Sequence, residues 1–391
     1  MKNLSCTMFC ILFCLFFSSL ACAETKKSDP VIWSYYEDGY ELYAPQLSND
    51  NKFLTLVRKR HLPDGHEAEM LSDAELKKFD DEVKKNSRFA DPEITLIGIK
   101  DKSKQMIDYG WDPIFSKNQT EIFYAHQVKP ISGFRMLAAT MAGNEIRSYD
   151  TLKNETIARP SFGYLSQPQN GENNTVIFAL SDGVNGDYGG NIGLGMVDLK
   201  TKQQKVLYEP RQEHKLYHLV NKFAGYNGSN IILRRRPLTE GVYLADAYAA
   251  ELIEVPSEKI LYSWGELKER QDVDFRICSN QLEVYDEKWQ TLNKVESRFN
   301  PKQYGFSSPN CEYIASINED DKQIKIYSTN GEVILDWKPQ SGRILEHAWS
   351  PDSTRLVLLV SHGLDFNDKG EYEAFKFDQI VILSVDDIKI N

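Results

Sequence analysis

Apolar residues in this chain come in short bursts rather than long periodic stretches. Runs at 53–57 (FLTLV), 121–124 (EIFY), 313–317 (YIASI) and 356–360 (LVLLV) are rich in β-branched and aromatic residues and too short for helices, so each predicts a strand. A second set follows at 94–100 (ITLIGIK), 195–199 (GMVDL), 282–286 (LEVYD), 324–328 (IKIYS) and 380–385 (IVILSV). A third set, such as 206–208 (VLY) and 333–337 (VILDW), trails it. Helix grammar is clear only within 61–92. There Ser72 and Glu75 form a capping box, Leu71 and Leu76 sit at staple positions, and Leu76, Phe79 and Val83 line one stripe among Lys77, Lys78, Asp80, Asp81 and Lys84.

A turn phrase recurs ahead of the strands: an apolar or aromatic residue, then Ser, then a Pro/Asn/Asp turn. It reads Leu47-Ser48-Asn49-Asp50, Phe115-Ser116-Lys117-Asn118, Phe306-Ser307-Ser308-Pro309-Asn310 and Trp349-Ser350-Pro351-Asp352. Ser, Asn and Asp bond their own backbone in such turns, and Pro presets φ. Four short antiparallel strands recurring at roughly 40–60 residues are the pattern of propeller blades. These phrases resemble the WD-like repeats of the TolB-type β-propeller family, most sharply at the four places quoted. The resemblance implies an all-β propeller fold and, less directly, a site of protein interaction.

Seven four-stranded blades are expected, with six or eight as the alternatives. Their bounds are 43–110, 111–150, 157–209, 216–255, 260–296, 304–338 and 345–385. The last shows three strands, and Val31–Tyr36 is the candidate for its fourth, closing the ring. The connection between second and third strands is long at 61–92, 181–192 and 361–376, and shorter at 127–133. All leave one face of the disc. Loops beyond about a dozen residues are usually functional or disordered, and their clustering favours function.

The chain has 391 residues, 41% of them hydrophobic, which is enough for a full core and excludes a disordered class. Its first 23 residues carry one charge, Lys2, and an apolar run at 8–17 too short to span a bilayer but suited to a signal peptide. Ala21-Cys22-Ala23 fits a cleavage site, leaving 24–391 as a single propeller domain. Lipidation of Cys22 is the competing arrangement. The expected destination is the periplasm or the exterior, with no transmembrane span in the mature chain. Loss of Lys2 with the leader takes the net charge from −11 to −12. That balance argues against a nucleic-acid partner. Outside the leader only Cys278 and Cys311 remain. Export invites a disulfide between them, but the expected strand order sets them on opposite faces, about 17 Å apart, against the roughly 7 Å a disulfide allows.

Asp182, Asn185 and Asp187 share a Gly-rich loop and present oxygen ligands of the kind Ca²⁺ takes, although without EF-hand spacing or a closing Glu. They are the candidate metal ligands, and no other cofactor is expected. Asp365 and Asp368, with Asn367 and Glu371, add acidity to the seventh blade's loop. His61, His66 and His362 join them as candidate binding residues on the decorated face, and His126 ends a second strand nearby. No HExxH spacing, phosphate loop or dinucleotide fingerprint occurs, and Gly305-Phe306-Ser307-Ser308-Pro309 lacks the last Gly of a nucleophile elbow. The expected function is therefore non-catalytic capture of an envelope protein or peptide through the long loops. The alternative is a secreted enzyme or small-ligand binder, acting on a polysaccharide or peptide at the channel mouth.

Overall fold

A computed structural model describes residues 29–63, 71–89, 91–127, 145–150, 153–159, 164–181, 192–209, 223–226, 229–237, 247–255, 257–268, 274–278, 281–285, 304–317, 322–328, 332–363, 365–366, 372–373 and 375–385. Val31–Asn391 forms one compact unit. It is built from antiparallel meanders, as the alternation of short strands and turns dictates. β1 (Val31–Tyr36) stands apart in sequence from its sheet. β2 (Tyr40–Leu47), β3 (Phe53–Arg60), β4 (Glu93–Gly98), β5 (Lys104–Phe115), β6 (Ile122–His126), β7 (Glu145–Tyr149) and β8 (Asn154–Ala158) run in order through a seven-stranded sheet. Strand β5 serves two units: Lys104–Tyr109 pairs with β4, and Gly110–Phe115 with β6.

Four-stranded sheets follow: β9 (Tyr164–Asn170), β10 (Thr175–Ser181), β11 (Ile192–Asp198) and β12 (Gln204–Tyr208), then β13 (Phe223–Tyr226), β14 (Ser229–Pro237), β15 (Ala247–Val255) and β16 (Lys259–Lys268). A hairpin of β17 (Asp274–Cys278) and β18 (Gln281–Tyr285) precedes the sheet of β19 (Tyr304–Ser307), β20 (Tyr313–Ile317), β21 (Ile324–Ser328) and β22 (Val333–Trp337). The terminal sheet joins β23 (Arg343–Trp349), β24 (Arg355–His362) and β27 (Phe377–Ser384), with β25 (Asp365–Phe366) and β26 (Tyr372–Glu373) forming a small ladder in between. The N-terminal β1 lies antiparallel beside β27, Tyr35 opposite Ile380, as the sheet's fourth strand.

The core is a series of seams where neighbouring sheets pack face to face. One seam sets Leu42 and Leu54 against Val357 and Ile380; another sets Ile317 and Ile326 against Leu356 and Leu383. A third sets Ile177 and Leu194 against Ile253 and Val255. Middle strands are covered on both faces, so β24 is buried from Leu356 to Ser361 rather than alternating.

The recurring turn phrase is one hydrogen-bond motif built four times. Ser48, Ser116, Ser308 and Ser350 are each no more than 3% exposed. Each hydroxyl donates to the Asx side chain two residues on, at 2.8, 2.8, 2.7 and 2.6 Å. Each also accepts the N–H five residues on, at 2.9–3.0 Å. The fourth residue of each turn, Asn51, Gln119, Cys311 or Ser353, takes a φ of 55–64°. Neighbouring turns are then laced together: the Asn310 N–H donates to Ser353 Oγ at 3.0 Å, Asn51 Nδ2 to Asp352 Oδ2 at 2.6 Å, and the Asn49 N–H to Gln119 Oε1 at 2.6 Å.

The middle of the chain corrects the expected boundaries. The expected fourth unit, 216–255, ends one strand too soon, because β16 is the outer strand of the sheet that β13 opens. Likewise β8 belongs with β7, beyond the expected limit at 150. No serine turn phrase precedes the strands of the sheet from β13 to β16. The shift also overturns the argument against a disulfide. With β16 reassigned, β17 no longer follows it as a second strand of one unit; it pairs with β18 in a hairpin whose turn Cys278 borders. Cys311 is disulfide-bonded, and the side chain it bonds lies outside the described residues.

Ser350→Ala removes a fully buried hydroxyl, leaves the Arg355 N–H without its acceptor and takes one of several donors from Asp352. We expect a loss of about 1–3 kcal/mol in denaturant unfolding, with an unchanged far-UV circular dichroism spectrum at low temperature.

Candidate functional site

Three of the chain's histidines mark the same place in successive units. His362 ends β24, His61 follows β3, and His126 ends β6, each at the close of a second strand. The connections to the third strands depart from the ends of these strands, where His61 and His362 lie. The His61 ring stacks on Phe375 at 4.3 Å, and its Nδ1 lies 2.7 Å from Glu41 Oε1. His362 stacks on Phe377 at 4.4 Å, with Nδ1 3.1 Å from Ser341 Oγ and Nε2 3.3 Å from Gln379 Oε1. Burial lowers the His362 pKa and Lys376 adds to the effect, against the Gln379 bond. Asp365 opens the small ladder opposite Glu373. His66, Asp182, Asn185, Asp187, Asn367, Asp368 and Glu371 lie outside the described residues, so the Ca²⁺ expectation falls there too. Among the described residues, no group of His, Cys, Asp and Glu is arranged to hold a metal ion.

Two of the histidines belong to a repeated carboxylate cluster. Glu41 on β2 bonds His61 through one oxygen and accepts the Tyr43 hydroxyl through the other, with Lys59 Nζ 3.8 Å away. Asp108 on β5 lies 3.1 Å from His126 Nδ1 and accepts the Tyr124 hydroxyl at 2.8 Å and Arg147 Nη1 at 3.0 Å. Burial alone would raise both acids. The His126 bond and the Tyr109 amide outweigh it and bring Asp108 down to about 2. The His61 bond and the Lys59 charge lower Glu41 in the same way. Carboxylates held in the ionised form and bonded at these positions are poor proton acceptors near neutrality; their role here is to aim the histidines and tyrosines.

The insertion attaches beside them. Helix α1 (Asp73–Lys85) carries the expected capping box: the Ser72 N–H donates to Glu75 Oε2 at 2.9 Å, and the Glu75 N–H to Ser72 Oγ at 3.4 Å. None of the helix's residues is buried, and Val83 is 42% exposed. The stripe of Leu76, Phe79 and Val83 therefore does not disappear into the disc. What holds the insertion is its root. Arg60 lies over the rings of Tyr40 (4.5 Å) and Phe89 (5.0 Å), and Arg88 lies over Tyr109 at 4.6 Å while donating to the Gln127 carbonyl at 3.3 Å. Arg58 sits over Tyr40 and bridges Glu37 at 2.7 Å and Glu93 at 2.6 Å.

Sequence reasoning found the histidines but missed Glu41, Asp108 and these arginines. A usable signal existed: Glu41 and Asp108 precede the turn serines Ser48 and Ser116 by seven and eight residues.

No family model matches this chain, and no curated protein sequence does. Among solved structures it is similar to the β-propeller domain of Cps50 (Swd1) from Myceliophteria thermophila, with a TM-score of 0.50 and 10% identity over 91% of this chain and 99% of that one. It also aligns with a chain of the mitotic checkpoint complex at a TM-score of 0.48 and 10% identity, over 91% and 94% of the two chains. The first likeness, taken with the meandering sheets, makes this an all-β propeller.

Arg88→Ala unties the insertion root from Tyr109 and Gln127. Trypsin should then cut at Lys77, Lys78, Lys84 or Lys85 several-fold faster, while global stability falls by no more than about 1 kcal/mol.

Proposed function

We propose that this chain is an exported propeller of seven blades, closed by its N-terminal strand, that captures an envelope protein or peptide on the face bearing the 61–92 insertion. The observation that carries this reading is helix α1: an apolar stripe of which no residue is fully buried and Val83 is exposed, on a mount fixed by stacked arginine and aromatic side chains. Apolar groups held in water are costly unless a partner covers them. Arginine and aromatic residues are also the types that contribute most at interfaces. The stacked rings of His61 and Phe375 extend the same surface toward the terminal sheet.

Export is supported by the leader at 1–23 and by the disulfide at Cys311, since disulfides persist in oxidising compartments. Cleavage after Ala23 would release the chain, and lipidation at Cys22 would tether it. Among the described residues no helix is long and apolar enough to cross a membrane. A second reading, a small-ligand site at the channel mouth, draws on the carboxylates Asp112 and Glu346 of the inner strands, both raised in pKa by burial.

A photo-crosslinking residue at Phe79 should capture one envelope protein in cells, and replacing 72–86 by a Gly-Ser linker should abolish capture by a crosslinker elsewhere on this face. Capture unchanged by that replacement would refute the role of the insertion. No protein captured by either would move the weight to the channel mouth. Peptide mapping without reductant should join Cys311 to Cys278, the one other cysteine outside the leader.

A further inference from the structure

Strand β2 is an edge of its sheet, and its outward N–H groups need acceptors. No strand supplies them. The Leu42 N–H donates to Asp378 Oδ2 at 2.8 Å, and the Ala44 N–H to Glu346 Oε2 at 2.6 Å. Both acceptors come from the terminal sheet, so two carboxylates stitch that sheet to the first. Ala44 takes a φ of 47° at a bulge in β2, which turns its N–H out toward Glu346. The neighbouring unit repeats the device: Asp112 Oδ2 accepts the N–H of Gln167, another bulge residue with positive φ.

We propose that the seam between the terminal sheet and β2 is a proton-sensitive latch, closed while Glu346 and Asp378 are neutral and loosened when both ionise. The groups facing them are mostly acidic. Glu346 meets Asp112 from β5, Asp378 from β27 and Tyr43 from β2. Asp378 meets Glu41 and Tyr43 from β2 and, on the favourable side, His61 from beyond β3. The nearest lysine, Lys59, is already drawn to Glu41 at 3.8 Å. Of these groups only His61 and Lys59 can carry positive charge, and both are already drawn to Glu41, so a second negative charge at the seam is poorly compensated.

Burial pushes Glu346 up to about 7, with Asp112 and Asp378 adding repulsion against the opposing Ala44 bond. Burial likewise pushes Asp378 to about 6, with Glu41 adding to it and Ser361, the Leu42 amide and His61 opposing. The folded chain thus holds these protons more tightly than the unfolded chain. The seam's contribution is complete below the ordinary carboxylate range and is lost as pH rises from about 4 toward 7.

The test is hydrogen exchange at the Leu42 and Ala44 amides in the mature protein, corrected for base catalysis, at pH 5.5 and pH 8. Protection should fall by about tenfold or more across that interval, the weight of one pKa unit. In the Glu346→Gln/Asp378→Asn variant both amides keep an oxygen acceptor that cannot ionise. Protection there should match the native chain at pH 5.5 and change less than about threefold by pH 8. Equal pH slopes in the two proteins would overturn the latch. So would a variant already unprotected at pH 5.5, since the carboxylates would then act only as ordinary acceptors. Thermal unfolding of the Asp112→Asn variant gives a separate check: with one facing charge gone Glu346 is raised less, so the loss of stability on raising pH should be smaller and end at lower pH than in the native chain, and an unmoved profile counts against the proposal.

Discussion

The inner strand of a propeller sheet has one edge with no strand beside it, and much of this structure answers that constraint. A sheet in the middle of a domain satisfies its amides by adding strands; an inner strand facing the axis cannot. Here acidic side chains from the adjoining sheet take the place of the missing strand. Glu346 and Asp378 do so for β2, and Asp112 does so for β9. The bulges at Ala44, Asp112 and Gln167, each followed by proline, are where the backbone turns to meet them. Proline has no N–H to leave stranded at such a position.

Two ends of the disc are held by different chemistry. At one end, the serine turns are bonded internally and then to each other by neutral or singly charged groups, giving short, repetitive contacts with little room for variation. At the other, ionised carboxylates, histidines, tyrosines and arginines form the contacts, and the connections between second and third strands are long. Short bonded turns close one end of the sheets, and long connections leave the other, where length can vary without disturbing the sheets.

The histidine clusters tie residues of neighbouring strands together through a shared carboxylate. His61 and His126 each face a carboxylate, the pairing that activates nucleophiles in many enzymes. Here Glu41 and Asp108 are also bonded by tyrosine hydroxyls and approached by cations. What the clusters do is fix Tyr43, Tyr124 and the stacked His61–Phe375 pair beside the insertion root.

Local chemistry was legible in the sequence wherever it closes over a few residues. The four serine turns, the capping box of α1 and the strands beside them follow from hydrogen bonds spanning at most five positions, so they could be read directly. So could the placement of β1 beside β27, because a three-stranded last unit lacks a partner. Register failed in the middle sheets, where no serine turn marks where a unit begins and β16 could open one sheet or finish another with equal ease. Only the tertiary structure decided that question, by pairing β16 with β15. It alone also joined Glu346 to Ala44 and Asp378 to Leu42, residues 302 and 336 positions apart. A carboxylate's role there depends on which backbone amide lies within reach, and that is set by how sheets meet rather than by neighbours along the chain.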